Sequence, residues 1–268
     1  MPDNGQLSRS GHLNVSALYS DFAEAYECIA DDRDFLAQAK SVSGLVRSAA
    51  PETKPRCVEI FAGPARHTLA LSDLGWEVSA IDIAPQMRNI AVAAGFPSTA
   101  YHILDLTSPE LDAVRPSNDL CLAMRYSIGH IARRDLPVLF GNIRAMMRSG
   151  GLLVIECHRI STLVGGAAEL SIRERVGKTA DGAVVRCRWP EAEIEWSPRS
   201  WTATMTIALS IARAGTATAE HYKFLSREEI HSADYLADAA IAAGFTEIND
   251  NSISSIFPES IVLLLEAV

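Results

Sequence analysis

The segment Glu59-Ile-Phe-Ala-Gly-Pro-Ala-Arg-His67 follows a short apolar run and precedes a stretch of helical periodicity. Gly63 can take a positive φ and lets the backbone come close to a ligand. Such a turn stands at the carboxyl end of a strand, where open parallel sheets bind their ligands. Pro64 suits the first position of the following helix, because its missing N–H would have no helical partner there. Asp82 ends the next apolar run, nineteen positions beyond Gly63. That is the place and spacing of a carboxylate that accepts hydrogen bonds from ribose hydroxyls. Read together, the turn and the acid describe a nucleoside site. The dinucleotide fingerprint G-x-G-x-x-G is not met, since Phe61 and Ala65 flank Gly63. Pro64 also removes a backbone donor that a pyrophosphate would use, so a nucleoside without phosphates fits better.

A parallel sheet is needed to position these groups, and the periodicity supplies one. Strands are expected at Cys57–Phe61, Glu77–Asp82, Tyr101–Leu104, Asp119–Ala123 and Leu152–Glu156. Helices are expected at Pro64–Leu74, Pro85–Ala94 and Ala132–Met147, the last stopped by Gly150-Gly151. An earlier amphipathic helix carries Phe35, Ala39, Val42 and Val46 and ends before Pro51. Strands alternating with helices indicate βαβ units. Between Leu170 and Leu225 the period becomes two: Trp201, Ala203, Met205, Ile207, Leu209 and Ile211 alternate with smaller or polar residues. Val185-Cys187-Trp189 and Ile194-Trp196 repeat the pattern, with Asp181-Gly182 as a hairpin turn and Arg186 and Arg188 able to pair with Glu193 and Glu195. A helix over Arg227–Ala243, with Ser226 and Glu229 as a capping box and Gly244 closing it, precedes strands at Phe245–Ile248 and Ile261–Leu265.

On these residues the chain resembles the class I S-adenosylmethionine-dependent methyltransferases over nearly its whole length. The stretch from Glu59 to His67 is similar to that family's first motif, with its first and third glycines replaced by Phe61 and Ala65. Asp82 corresponds to the ribose-binding acid, Asp105 to the residue beside adenine, and Met124 to the point where the chain passes the methionine part. Met124-Arg-Tyr-Ser-Ile-Gly-His130 resembles the Ser-x-Gly-Tyr/His loop of small-molecule enzymes, especially amino-sugar N,N-dimethyltransferases and glycine N-methyltransferase-like proteins. Glu220–Glu229 resembles the segment that returns from their inserted sheet, and Tyr19 and Tyr26 resemble N-terminal tyrosines that close over the cofactor.

The resemblance implies an α/β fold with a Rossmann-like seven-stranded sheet and an inserted antiparallel β-sheet after strand five. It implies S-adenosyl-L-methionine as cofactor and S-adenosyl-L-homocysteine as product. Cofactor contacts are expected at Tyr19, Tyr26, Glu59, Ala62, Gly63, Arg66, Asp82, Ile83, Met87, Asp105, Leu106 and Met124. Substrate contacts are expected at Arg125, Tyr126, His130, His158, Trp201, His221 and Tyr222. The domains would be a disordered lead at 1–14, a cofactor domain at 15–160 and 226–268, and a substrate cover at 161–225.

Methyl transfer from a sulfonium is an in-line displacement whose rate can come largely from alignment. A base is needed only where the nucleophile arrives protonated, and His130 and His158, after strands four and five, are the candidates. The three tryptophans Trp189, Trp196 and Trp201 read first as sheet packing. A net charge of −9 argues against nucleic acid and anionic membranes as partners. Five widely spaced cysteines suggest neither a metal site nor a disulfide framework. The N-terminal stretch lacks the apolar core of a signal peptide, and a cytoplasmic enzyme acting on a small molecule is expected. The acceptor atom (N, O or C) and the oligomeric state, monomer or homodimer, stay open. The alternatives are an S-adenosylmethionine-binding enzyme of other chemistry, such as cyclisation or rearrangement, an NAD(P)-dependent oxidoreductase, and a non-catalytic binding module.

Overall fold

The computed structural model describes residues 11–30, 33–46, 53–108, 117–161, 174–216, 218–250 and 252–268. In chain order the elements begin with β1 (Leu13–Asn14), α1 (Ser16–Tyr19), α2 (Ala23–Ile29) and α3 (Phe35–Leu45). An alternating run follows: β2 (Arg56–Ile60), α4 (Arg66–Asp73), β3 (Glu77–Asp82), α5 (Pro85–Ala93), β4 (Tyr101–Ile103), β5 (Asn118–Ala123), α6 (Leu136–Met146) and β6 (Met147–His158). Five strands come next, β7 (Glu174–Lys178), β8 (Val184–Arg188), β9 (Glu195–Ser197), β10 (Thr202–Ala212) and β11 (Glu220–Glu229). The chain closes with α7 (Ala233–Ala242), β12 (Phe245–Glu247) and β13 (Ser260–Ala267). No described helix is long and apolar enough to cross a membrane.

The chain divides into two compact units, Met1–Arg33 with Ile160–Glu228, and Asp34–Arg159 with Glu229–Val268. The second holds a seven-stranded sheet in the order β12-β13-β6-β5-β2-β3-β4, in which β13 alone runs opposite to the other six strands. The order reverses between β2 and β5, which puts the turn after β2 at the topological switch point. The central strands β2 and β5 are buried along nearly their whole length, as expected for a sheet covered on both faces. On one face Val58, Ile60, Cys121, Leu153 and Leu265 pack with the α6 stripe of Leu136, Leu139, Phe140, Ile143 and Met146; on the other, Leu120, Leu122 and Val154 pack with Ala39, Val42 and Leu71.

In the first unit, β10 joins β8 and β9 in antiparallel pairs, β7 extends beyond β8, and β1 lies parallel to β11. The alternation read from sequence holds in β10, where Ala203, Met205, Ile207, Leu209 and Ile211 are buried. Leu18, Ala25 and Ile29 share a core with Val185, Cys187, Ile207 and Phe224. These contacts place the described part of 15–33 with the antiparallel sheet, whereas the sequence reading joined it to the cofactor domain. Leu13 and Asn14, expected in a disordered lead, pair with Phe224 and Leu225; residues 1–10 lie outside the described set.

Four other local expectations are corrected. Gly150-Gly151 does not stop α6, because extended backbone begins at Met147 and the two glycines lie inside β6. They occupy an irregularity where Asn118 pairs with Met147 but Leu120 pairs with Leu152. Ser226–Glu229 form no capping box. They belong to β11, with the buried Ser226 hydroxyl donating to Glu228, and the helix starts after Ser232, whose side chain accepts from Tyr235 N–H. Arg186 and Arg188 pair with Glu174 rather than Glu193 or Glu195, because β7 and β10, not β9, flank β8. Trp201 lies outside the β10 alternation, with φ 51° and its ring edge-on to Trp196.

The β5–β6 irregularity gives a direct test. A Cβ on Gly151 would sit 2.8 Å from both Asn118 O and Met147 Cε. Gly151→Ala should cost about 1–3 kcal/mol in urea unfolding. Gly141→Ala, inside α6 with no heavy atom within 4 Å of the added Cβ, should gain up to about 1 kcal/mol.

Candidate functional site

Three alternate residues of the turn after β2 take left-handed backbone conformations: Phe61 (φ 53°), Gly63 (φ 51°) and Ala65 (φ 56°). Glycine does so without strain, whereas a residue with a Cβ loses about 1–2 kcal/mol. Phe61 and Ala65 therefore keep the turn that two further glycines would have given freely, at the expense of stability. Ala65 is the N-cap of α4, and the first helical residue is Arg66, not Pro64. Pro64 thus lies in the turn, two positions earlier in the motif than expected.

The turn is held by bonds from three neighbours. Gly63 N–H donates to Asp82 Oδ2 at 2.8 Å, and the Tyr101 hydroxyl donates to Gly63 O at 2.6 Å. Ala62 N–H is taken by Ile81 O and Ala65 N–H by Ala62 O. With Pro64 lacking an N–H, the backbone donors of 62–65 are all spent inside the protein. A pyrophosphate cradle needs those donors, so this turn can face a ligand only by close approach. Met87 underlies it, its Sδ 3.9 Å from where a Cβ on Gly63 would stand.

Asp82 Oδ1 accepts Ala84 N–H at 2.8 Å. A carboxylate has about four lone-pair sites, so capacity remains for ribose hydroxyls. Burial raises the Asp82 carboxyl from its ordinary value, and the N–H groups of Ala84 and Gly63 pull it back. Burial, followed by the nearby Asp82 and Glu59 carboxylates, raises the Tyr101 phenol well above the ordinary tyrosine value. Ile83, 66% exposed beside Asp82, is a bare apolar surface at the strand end. Tyr101 was not among the expected site residues. Its register opposite Ala80 on β3, two residues from Asp82, is the only signal that could have found it.

Glu59 is buried beneath the turn's helix start. Its oxygens accept from Thr68 N–H, the Thr68 hydroxyl and His67 Nδ1–H at 3.1, 2.8 and 3.0 Å, while His67 Nε2 meets the Gln38 side chain at 2.9 Å. This buried network ties β2 to the start of α4 and to α3. Arg66, half-buried, projects from the first turn of α4, and burial lowers its guanidinium from the ordinary value. Asp105, on the exposed segment after β4, accepts from both the Thr107 N–H and hydroxyl, and Leu106 beside it is buried.

After β5, Met124 is buried and its carbonyl accepts the Ser127 hydroxyl at 2.6 Å. Arg125 and Tyr126 are both left-handed, and the Tyr126 ring stacks on His158 at 4.2 Å and 8°. His130 is exposed on the same loop. Beyond it, Ile131 O accepts from His231 Nε2–H at 2.9 Å, and Arg133 N–H donates to Glu229 at 2.8 Å. The structure therefore gathers Gly63, Asp82 and Met87 at the neighbouring ends of β2 and β3, and Tyr126 with His158 at those of β5 and β6.

The remaining expected residues belong to the other unit. Tyr19 and Tyr26 meet edge to face at 5.0 Å, and Tyr26 lies 6.5 Å from Trp189. Tyr222 packs on Phe22 and donates to Glu220, and His221 is exposed.

No family model and no curated protein matches the sequence. Solved structures do match the fold. DesVI of Streptomyces venezuelae is 15% identical, with TM-score 0.69, over 88% of this chain and 93% of that one. CalS10, an amino pentose methyltransferase from Micromonospora echinaspora with bound SAM, is 14% identical, with TM-score 0.66, over 92% and 97%. The sugar N-methyltransferase KedS8 from a Streptoalloteichus species is 18% identical, with TM-score 0.70, over 88% and 89%. At these identities the likeness establishes the fold, a Rossmann-like methyltransferase sheet with a second, antiparallel sheet.

The strained turn yields a prediction. Ala65→Gly should stabilise the protein by up to about 1 kcal/mol in thermal or urea unfolding, because it removes the left-handed penalty. Glu59→Ala should cost about 3 kcal/mol or more, because it leaves the buried donors of Thr68 and His67 without their acceptor.

Proposed function

We propose that this protein is an S-adenosylmethionine-dependent methyltransferase that acts on a small-molecule amine in the cytoplasm. The observation that carries the reading is the turn at Gly63. It has a glycine that would let a ligand come close, offers no free N–H over 62–65, and stands beside a carboxylate with lone pairs to spare. That combination suits a nucleoside bearing no phosphate. Asp82 would hold the ribose, the exposed Ile83 would cover one face of the base, and Arg66 would meet the carboxylate of the amino-acid end. The bound sulfonium supplies an activated methyl group and a neutral thioether leaving group.

What remains for the protein is alignment and the fate of one proton. An acceptor nitrogen that takes the methyl group would shed one hydrogen, to a base or to solvent. His158, fixed by its stack on Tyr126, and His130, exposed on the same loop, are the groups proposed to take it. The choice of an amine is supported by the fold shared with an amino pentose methyltransferase and a sugar N-methyltransferase.

Calorimetry with S-adenosylmethionine should show binding, and Asp82→Ala should weaken it by about 1.5–3 kcal/mol, roughly ten- to a hundredfold. Because burial raises the Asp82 carboxyl, the carboxylate is protonated early as the pH falls. Wild-type affinity should therefore begin to drop at a higher pH than an ordinary aspartate would cause, and Asp82→Asn should remove that step. A folded protein that ignores the cofactor sinks the reading. Turnover is tested with amino sugars and their hydroxyl analogues, by following S-adenosylhomocysteine and the methylated product. Cofactor consumption without methyl gain would point instead to cyclisation or rearrangement, and NAD(P)H binding to an oxidoreductase.

A further inference from the structure

Among the described residues, β7 ends the sheet of the first unit, which runs β1-β11-β10-β8-β7. One face of β7 is closed. A Cβ on Gly177 would stand 2.1 Å from Cys28 O, so α2 lies directly against it. The other face carries Glu174, Val176 and Lys178, all exposed, with Val176 at 55%. A sheet edge with an open apolar residue at its middle is a template for a further strand.

The hairpin fixes which main-chain groups point out of that edge. Thr179 N–H donates to Ala183 O at 3.0 Å, and in an antiparallel ladder such bonded pairs alternate with unbonded ones. Gly177 opposite Val185 and Arg175 opposite Cys187 therefore spend their main-chain groups on β8. Glu174, Val176 and Lys178 aim theirs away from the sheet. The same three residues read acid, apolar, base. Turned end for end about Val176, the strand sets Lys178 opposite Glu174 and Val176 opposite itself. Parallel pairing in register would instead set each charge against its own kind. A slip of one residue would oppose main-chain groups already spent on β8, and a slip of two would part the charges. Glu174 is also held in place, by Arg186 at 3.1 Å and Arg188 at 3.5 Å.

We propose that the edge of β7 docks a second copy of this chain, the two strands pairing antiparallel about a two-fold axis between their Val176 residues. Each of the three outward-facing positions would exchange both main-chain hydrogen bonds with its opposite. The valines would meet at the centre, and a Glu174–Lys178 ion pair would close each end. Such an interface is isologous, the same patch serving both copies. The pairing is independent of what the protein catalyses.

Sedimentation equilibrium of the full chain should show a monomer–dimer equilibrium. Val176→Pro removes an outward N–H without costing a bond to β8. It should raise the dimer dissociation constant about tenfold or more, with cooperative urea unfolding retained. Lys178→Glu, which sets two carboxylates against each other at both ends, should raise it about tenfold. Should the proline variant fail to fold, this surface substitution decides in its place. The register is read by oxidative cross-linking, with the wild type as blank. Val176→Cys alone should give a covalent dimer, because that position meets itself at a separation a disulfide spans. Glu174→Cys and Lys178→Cys should stay single when oxidised separately and should link when mixed. A chain that sediments as a monomer up to its solubility limit overturns the proposal. A dimer untouched by Val176→Pro and Lys178→Glu docks by another surface and overturns it equally. Self-linking of Glu174→Cys or Lys178→Cys, with none at Val176→Cys, overturns the antiparallel register.

Discussion

The bond from Gly63 N–H to Asp82 joins the turn after β2 to the end of β3, and the candidate cofactor site is organised around it. It turns inward a donor that would otherwise face a ligand. It also holds in place a loop that pays backbone strain on both sides, at Phe61 and Ala65. The Tyr101 hydroxyl secures the Gly63 carbonyl from β4, and the buried Glu59 secures the helix start from β2. Three successive parallel strands thus each send one side chain to one short turn. The site's rigidity is a property of the sheet's register, not of the turn's own sequence.

That distinction explains what could be read from sequence and what could not. Gly63 and Asp82 were legible because their chemistry is local: one residue type suits a positive φ, and one carboxylate ends a strand. The parallel strands were legible because burial on both faces leaves continuous apolar runs. Pro64 misled because a proline signals a nearby helix start without saying whether the helix begins at that residue or two residues after it. Ser226 misled because a serine three residues ahead of a glutamate satisfies the capping pattern equally well in β11, where pairing with neighbouring strands claims the backbone first. Gly150-Gly151 misled because the end of α6 is set by Asn118, whose side chain and neighbour Ser117 both donate to Met146 O. Tyr101, Gln38, Glu156 and Ser260 were missed for one shared reason: each acts through a partner far away in sequence, and spacing carries no trace of it.

The loop after β5 is controlled from its far end as well. Ile131 and Arg133 are bonded to His231 and Glu229, and Arg133 also donates to Ile230 O. His231 gives its Nε2 hydrogen to a carbonyl, which can only accept, and burial lowers its pKa, so the neutral ring is the form that fits. The loop bearing Tyr126 and His130 is therefore pinned at one end by Glu156, which accepts the Arg125 N–H, and at the other by the segment that leads into α7.

Ser260 opens β13, which inserts between β12 and β6, so the strand beside β6 comes from a segment made long after it. During synthesis β6 must wait with one edge unpaired while more than a hundred residues pass, Glu156 to Ser260 being 104 positions apart. Until β13 docks, Glu156 and Tyr126 both lack their contact with the Ser260 hydroxyl. A nascent or clipped chain could thus complete the turn at Gly63, built from residues 59–101, long before the Tyr126 region took its final form. Competence to hold a nucleoside and competence to recognise an acceptor would be acquired at different times, and proteolysis near β13 would separate them again.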